Sequence, residues 1–269
     1  MGALSGLTVL CIAQNLPGPA TARELMRDGA QVLKIEPPAG DFLLSAAPDW
    51  YRVLNDGFQV QRIDLRDPAG WADFVALMQG ADLLISSHRR GALARLGLTP
   101  GTLAELAPNL CWVEIVGDET APDVPGHDLT YQAEAGLLSP PAMPRSLLAD
   151  MGGVARATQA ALTLLMGRER GDTARHRAVG LRQSAEWLAE PLHLGLTAPG
   201  GFLSGVLPEY RIYPLADGWV AAAAMEAHFA ARFHAALGAD PAAALAGMTR
   251  DQVTELAEDQ DIPLVAFQN

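Results

Sequence analysis

The feature that most constrains this chain is an alternation of short apolar runs with helix-patterned segments, and it begins at the N-terminus. Residues 7–13 form a continuous apolar run of the length expected of a strand covered on both faces. Asn15-Leu16-Pro17-Gly18-Pro19 reads as a turn, residues 20–27 as a helix closed by Gly29, and residues 31–36 as a second strand. Two strands joined through a helix cannot make a hairpin, so they run parallel.

The alternation continues through strands at 60–65, 81–86 and 109–116, with helical stretches at 68–79 and 102–106 between them. This predicts an α/β fold: a doubly wound, mostly parallel, Rossmann-like large domain. Residues 154–168 and 182–194 read as long helices that complete it. Turn chemistry at Ala198-Pro199-Gly200-Gly201 marks a boundary, placing a large domain at 1–197 and a smaller α+β domain at 198–269. In the smaller one, residues 210–214 and 219–224 flank Ala216-Asp217-Gly218 as a hairpin, with helices at 226–237 and 250–258.

Composition narrows the partners. The formal net charge of −12 repels nucleic acid and anionic lipid, so neither is expected. A phosphate-bearing ligand has to be met by local arginines, because Lys34 is the single lysine. Cys11 and Cys111 sit inside apolar runs and read as buried thiols in a reducing compartment. No signal peptide or membrane-length apolar stretch is apparent, and a soluble, cytoplasmic protein is expected. The histidines never combine with cysteine or acid at metal-ligand spacing, so no metal is expected. Nicotinamide is not expected either. The first turn holds only Gly18 between two prolines, and a pyrophosphate needs a G-x-G-x-x-G approach.

Five ordered segments carry a more specific signal. They are Gly18-Pro19-Ala20-Thr21 running on to Lys34-Ile35-Glu36-Pro37 and Asp41; Ala81-Asp82-Leu83-Leu84-Ile85 leading to Arg89, Gly91 and Arg95-Leu96-Gly97-Leu98; Pro125-Gly126-His127-Asp128; Leu148-Ala149-Asp150 with Gly152 and Gly153; and Tyr213 to Asp217-Gly218 with Glu226 and Phe229. Taken in order, the set resembles the class III CoA-transferase family (CaiB/BaiF type). Gly126-His127-Asp128 and Leu148-Ala149-Asp150 are most similar to its α-methylacyl-CoA racemase branch. Three features depart from the family pattern. Phe58 stands where a basic residue is usual, Arg90 where proline is usual, and the chain ends at Asn269, short of a C-terminal segment through which family subunits interlock.

The resemblance implies an enzyme acting on an acyl-CoA, with coenzyme A entering as the substrate thioester. It also implies a homodimer, with interlocking left open by the short C-terminal end. It makes Asp150 and His127 the catalytic residues, and it places Arg89, Arg90, Lys34, Gly126 and Asp128 at the CoA. A thioester acidifies the carbon beside its carbonyl, and racemisation needs one group to take that proton and another to return it on the opposite face. His127 and Asp150 fit those roles if burial raises the carboxylate's pKa, with N–H groups near Gly152 and Gly153 stabilising the enolate oxygen. Asp150 equally suits a CoA-transferase, where it attacks the thioester and carries the acyl group as an anhydride. A third reading is a binder of CoA thioesters without chemistry. From the residues alone, Asp150 is as well explained as a helix cap, His127 as a turn residue, Arg89 and Arg90 as a solvated pair, and Lys34 as a strand-end charge.

Overall fold

The computed structural model describes residues 2–268, which divide into a first unit ending at Ala189 and a second beginning at Glu190. The first unit opens with β1 (Thr8–Cys11), α1 (Pro17–Arg27) and β2 (Gln31–Glu36), then two short helices, α2 (Phe42–Ala46) and α3 (Pro48–Asn55). β3 (Gln59–Arg62), α4 (Pro68–Gln79), β4 (Leu83–Ser86), α5 (Arg90–Arg95), α6 (Pro100–Leu106) and β5 (Cys111–Val116) follow. The unit closes with α7 (Asp128–Glu134), the long α8 (Leu148–Glu169), β6 (His176–Gly180) and α9 (Leu181–Leu188).

The six strands form one sheet in the order β3-β2-β1-β4-β5-β6, with every pair parallel. This is the doubly wound architecture expected from the alternation. Period-two side-chain placement divides the core. Val9, Cys11, Ile85 and Val113 point to one face, against Leu25 of α1 and Ala157, Ala161 and Leu165 of α8. Leu10, Ile12, Leu84 and Trp112 point to the other, against Phe74 and Met78 of α4, Leu93 of α5 and Leu103 of α6. Both faces are therefore dry, which is why these strands read as continuous apolar runs.

Several elements depart from the sequence expectation for identifiable reasons. α1 begins at Pro17, three residues earlier than the turn chemistry implied, because proline is well suited to a first helical position. α8 likewise begins at Leu148, so Gly152 and Gly153 are buried inside it rather than at its start. As interior helix residues, their N–H groups belong to the i→i−4 ladder and are not free for an enolate oxygen. These glycines act by shape instead. A Cβ on Gly153 would lie 2.4 Å from Leu181 Cδ2, and one on Gly152 would lie 2.9 Å from Leu188 Cδ1, so α9 rests directly on the glycine face of α8. Gly153→Ala is expected to lower unfolding stability by about 1–3 kcal/mol through overpacking, checked by urea denaturation.

The helix anticipated at 182–194 is two pieces, α9 and, in the second unit, α10 (Glu190–His193). Pro191 has no N–H to continue the ladder. The second unit then forms β7 (Tyr210–Pro214), β8 (Trp219–Ala223), α11 (Ala227–Leu237), α12 (Pro241–Ala246), α13 (Arg250–Gln260) and β9 (Leu264–Phe267). Its antiparallel sheet, β7-β8-β9, packs Val220 and Leu264 against Phe233, Leu245 and Val253. Among the described residues, no helix is long and apolar enough to cross a membrane.

Candidate active site

The sheet order reverses between β1 and β4. α1 leaves β1 over one face and α4 leaves β3 over the other, so a crevice opens beyond the carboxyl ends of β1 and β4. A cavity of about 240 Å³ occupies it, with Asn15, Arg89, Gly126, His127, Tyr131 and Asp150 among its walls. A second hollow, of about 420 Å³, lies beyond the ends of β1, β2 and β3, walled by Ile12, Ile35, Ile63, Arg66 and Arg95. Gln14 and His88 line both.

Asp150 is the third residue of α8, not its cap; the N-cap is Leu147, which offers no side-chain bond. The carboxylate that does accept at this helix start is that of Asp128, from the Asp150 N–H at 3.1 Å. The second oxygen of Asp128 accepts from Gln132 Nε2 at 2.6 Å, and Gln132 also donates to Ser146 O at 3.1 Å. Asp128 is buried with both oxygens committed, and it holds the start of α8.

This arrangement tunes Asp150. Burial is the larger influence and the Asp128 charge the smaller, and together they push its carboxyl up to about 7. The first turn of a helix favours a carboxylate by about 0.3–1 kcal/mol, which these two effects outweigh. A carboxyl poised near neutrality can both take and give a proton.

His127 is the N-cap residue of α7. The Thr130 hydroxyl accepts from the His127 N–H at 3.1 Å and donates to the His127 carbonyl at 2.8 Å, which fixes the backbone that carries the imidazole. Tyr131, one turn further on, is buried with its hydroxyl wedged between two glycines. A Cβ on Gly117 would fall 2.2 Å from the Tyr131 Oη and one on Gly126 would fall 2.3 Å from it. Gly126 therefore gives room to the tyrosine as well as lining the cavity. Tyr131 was not anticipated from the sequence, though its i+4 spacing from His127 placed it on the same side of the helix. Gly126→Ala is expected to displace the Tyr131 ring and lower turnover at least about tenfold, measured by steady-state kinetics with the fold monitored by circular dichroism.

The paired arginines separate. Arg89 lines the cavity with His127 and Asp150. Arg90 turns away to Glu114, its Nε 3.0 and 3.1 Å from the two carboxylate oxygens. The same buried glutamate meets His176 at 3.0 Å. Arg90 is thus the counter-charge of Glu114 and does not line this cavity.

Lys34 also lies outside this cavity. Its side chain is 0% exposed, with the ammonium 2.7 Å from Asp41 and 3.1 Å from Glu36. The Tyr51 hydroxyl donates to Glu36 at 2.8 Å. Asp41 also accepts from the Leu43 N–H at 3.0 Å, capping α2, and from the Asn15 N–H at 3.2 Å. Asn15 has φ 63°, in the left-handed region that asparagine tolerates better than most residues. Lys34 therefore supports the turn that forms one wall of the cavity without reaching the cavity itself. Cys11, at the end of β1, is no nucleophile here: burial pushes its thiol up to about 12.

The geometry brings together, at a switch-point crevice, the Asp150 carboxyl near neutrality, the imidazoles of His127 and His88, and the Arg89 guanidinium. The family model of CoA-transferase family III matches residues 4–263. Human alpha-methylacyl-CoA racemase is 29% identical over 249 residues, covering 84% of this chain and 63% of that protein. A probable fatty acyl-CoA transferase of Mycobacterium tuberculosis is 30% identical over 191 residues, covering 64% of this chain and 48% of that one. The chain thus spans less than two thirds of the length of these relatives. A solved structure of a hypothetical protein from Mycobacterium tuberculosis superposes with a TM-score of 0.86 at 23% identity, covering all of this chain and 84% of that one, a likeness of fold. With its model matched along nearly the whole sequence, the chain belongs to CoA-transferase family III.

Proposed function

We propose that the protein transfers the α-proton of a 2-methylacyl-CoA, interconverting its two epimers by a racemase-type reaction. The observation that carries this reading is the shared cavity of His127 and Asp150, with the Asp150 carboxyl at about 7. One group removes the proton beside the thioester carbonyl, and the other returns a proton on the opposite face. The roles exchange with the epimer bound. Arg89 supplies positive charge beside the cavity, where an enolate or the ligand's phosphates would be met. The apolar hollow at the ends of β1, β2 and β3 suits the flat base of the nucleotide, and its arginines suit the phosphates.

The test is deuterium wash-in. The protein is incubated with a 2-methylacyl-CoA in heavy water and the α-carbon followed by NMR, with His127→Ala and Asp150→Ala alongside. Racemisation lost in both variants, each keeping at most exchange from the one epimer whose proton faces its remaining group, is the expected result; racemisation that persists in either variant removes that residue from the mechanism.

A second reading is CoA transfer, with Asp150 as the covalent nucleophile. It is favoured by the likeness to a probable fatty acyl-CoA transferase. Conversion of Asp150 to its hydroxamate by hydroxylamine during turnover, seen by mass, would select it, in the absence of wash-in.

A further inference from the structure

His127 closes a stretch of chain that apolar burial does little to hold. Between Val116, which ends β5, and Asp128, which begins α7, every residue is half-buried or exposed. The hydrophobic effect scales with apolar area removed from water, so it contributes little to the placement of this loop. A proton-transfer group nevertheless needs fixed geometry, because a displacement of about 1 Å can cost about a hundredfold in rate. The position of His127 therefore depends on polar anchors.

Those anchors concentrate at Asp118. One of its carboxylate oxygens accepts from Gln183 Nε2, the Thr120 N–H and the Thr120 hydroxyl, each at 2.8 Å. The other accepts from Arg182 Nε at 2.7 Å. Arg182 and Gln183 lie in the first turn of α9, and they reach the loop a second time. The Arg182 N–H donates to Gly117 O at 2.9 Å, and Gln183 Oε1 accepts from the Glu119 N–H at 3.2 Å. The Glu119 carboxylate returns the tie by accepting from the Gly180 N–H at 3.0 Å. A Cβ on Gly180 would lie 1.9 Å from Gln183 Oε1, so the contact leaves no room for a side chain there. Burial alone would raise the Asp118 carboxyl, but the bonds from Gln183, Thr120 and Arg182 outweigh it and hold the group below its ordinary range. Asp118 thus stays ionised across the range in which Asp150 titrates.

We infer that Asp118 is a positioning residue for His127: anchored on α9, it sets where the loop between β5 and α7 delivers the imidazole. Asp118 does not line the cavity, so it acts through His127 and not on the ligand. This rests on the racemase reading of the site and extends it to how one of the two proton-transfer groups is held. Asp118 carried no signal in the sequence, since its partners Arg182 and Gln183 lie 64 and 65 positions away.

α-Proton exchange tests it, with each epimer of the 2-methylacyl-CoA supplied separately in heavy water and His127→Ala as the reference. Asp118→Ala removes the anchor. It is expected to slow exchange at least about tenfold from the epimer that His127→Ala silences, and less than about twofold from the other. Affinity for CoA, measured by calorimetry, should stay within about twofold of wild type. Asp118→Asn keeps an acceptor for Thr120 and Gln183 and should regain part of the loss. Arg182→Met, which breaks the anchor from the α9 side, should repeat it. Equal slowing from both epimers, or no slowing in any folded variant, would overturn the assignment. Thermal unfolding is followed for each variant, and if Asp118→Ala does not fold, the same comparison is made on Asp118→Asn and Arg182→Met. Wild-type protein that exchanges neither epimer would instead sink the racemase reading, and this inference with it.

Discussion

Replacing Asp150 with asparagine is expected to slow racemisation by about a thousandfold, within the range that a positioned general acid–base group contributes. The substitution keeps size and polarity, so it leaves the first turn of α8 and the bond from its N–H to Asp128 intact. What it removes is the proton site. The wild-type pH dependence should report the same group. With a carboxyl at about 7, racemisation needs one of the pair ionised and the other protonated, so kcat/KM is bell-shaped in pH, with one limb near neutrality set by Asp150 and the same shape from either epimer. Full activity in Asp150→Asn, or a profile with no limb near neutrality, would show that Asp150 is not the exchanging group.

The raised carboxyl also has a stability consequence. Between the unfolded-state value of 3.8 and about 7, the folded protein retains a proton that the unfolded chain has lost. Stability therefore falls as pH rises through that window, and the cost is complete above about 7. Asparagine carries no such cost. Asp150→Asn should unfold at a higher temperature than wild type near about pH 8, and at nearly the same temperature near about pH 4. A variant both less active and more stable only at the higher pH is hard to explain as simple damage to the fold.

The second large effect is expected at Lys34. Lys34→Met preserves the length of the side chain but leaves Glu36 and Asp41 buried without their cation. Breaking a buried pair by removing one partner costs about 3–5 kcal/mol, most of it from the charge left behind. The loss should appear in urea denaturation of the apo protein. It should also raise KM for the acyl-CoA under conditions where the variant is folded, since Asp41 holds the Asn15 turn that walls the cavity. Replacing the whole cluster with apolar residues should recover stability without recovering KM. Loss of stability with KM unchanged would confine Lys34 to the core and sever it from the site.

What the sequence determined by itself is the architecture of the first unit. β2 falls at the residues its pattern marks, and α4 runs from Pro68 to Gln79 as read, since Asp67 caps its start and Gly80 follows its end. Strands buried on both faces, such as β5, cannot hide: every residue of Cys111–Val116 is buried, so nearly every one is apolar. Two strands were missed, β6 (His176–Gly180) and β9 (Leu264–Phe267); both lie at a sheet edge, and in β6 three of the five residues are at least partly exposed, which removes the apolar signal. The short helices α2, α3, α5 and α12 were missed because fewer than three turns do not establish a period.

The site divides along the same line. His127, Asp150 and Arg89 were legible as residue types in ordered motifs, and all three line one cavity. Their neighbours were not legible. That Asp128 caps α8 and helps raise the Asp150 carboxyl is a contact across 22 positions of chain. That Arg90 serves Glu114 while Arg89 faces the cavity depends on where α5 begins, and that Lys34 is wholly buried depends on α2 and α3 folding over the end of β2. Periodicity registers how a residue's own element is buried, averaged over several turns or strand positions. The charge a side chain meets, and the direction it points at an element's end, are set by partners brought in from elsewhere, and only the tertiary structure decides those.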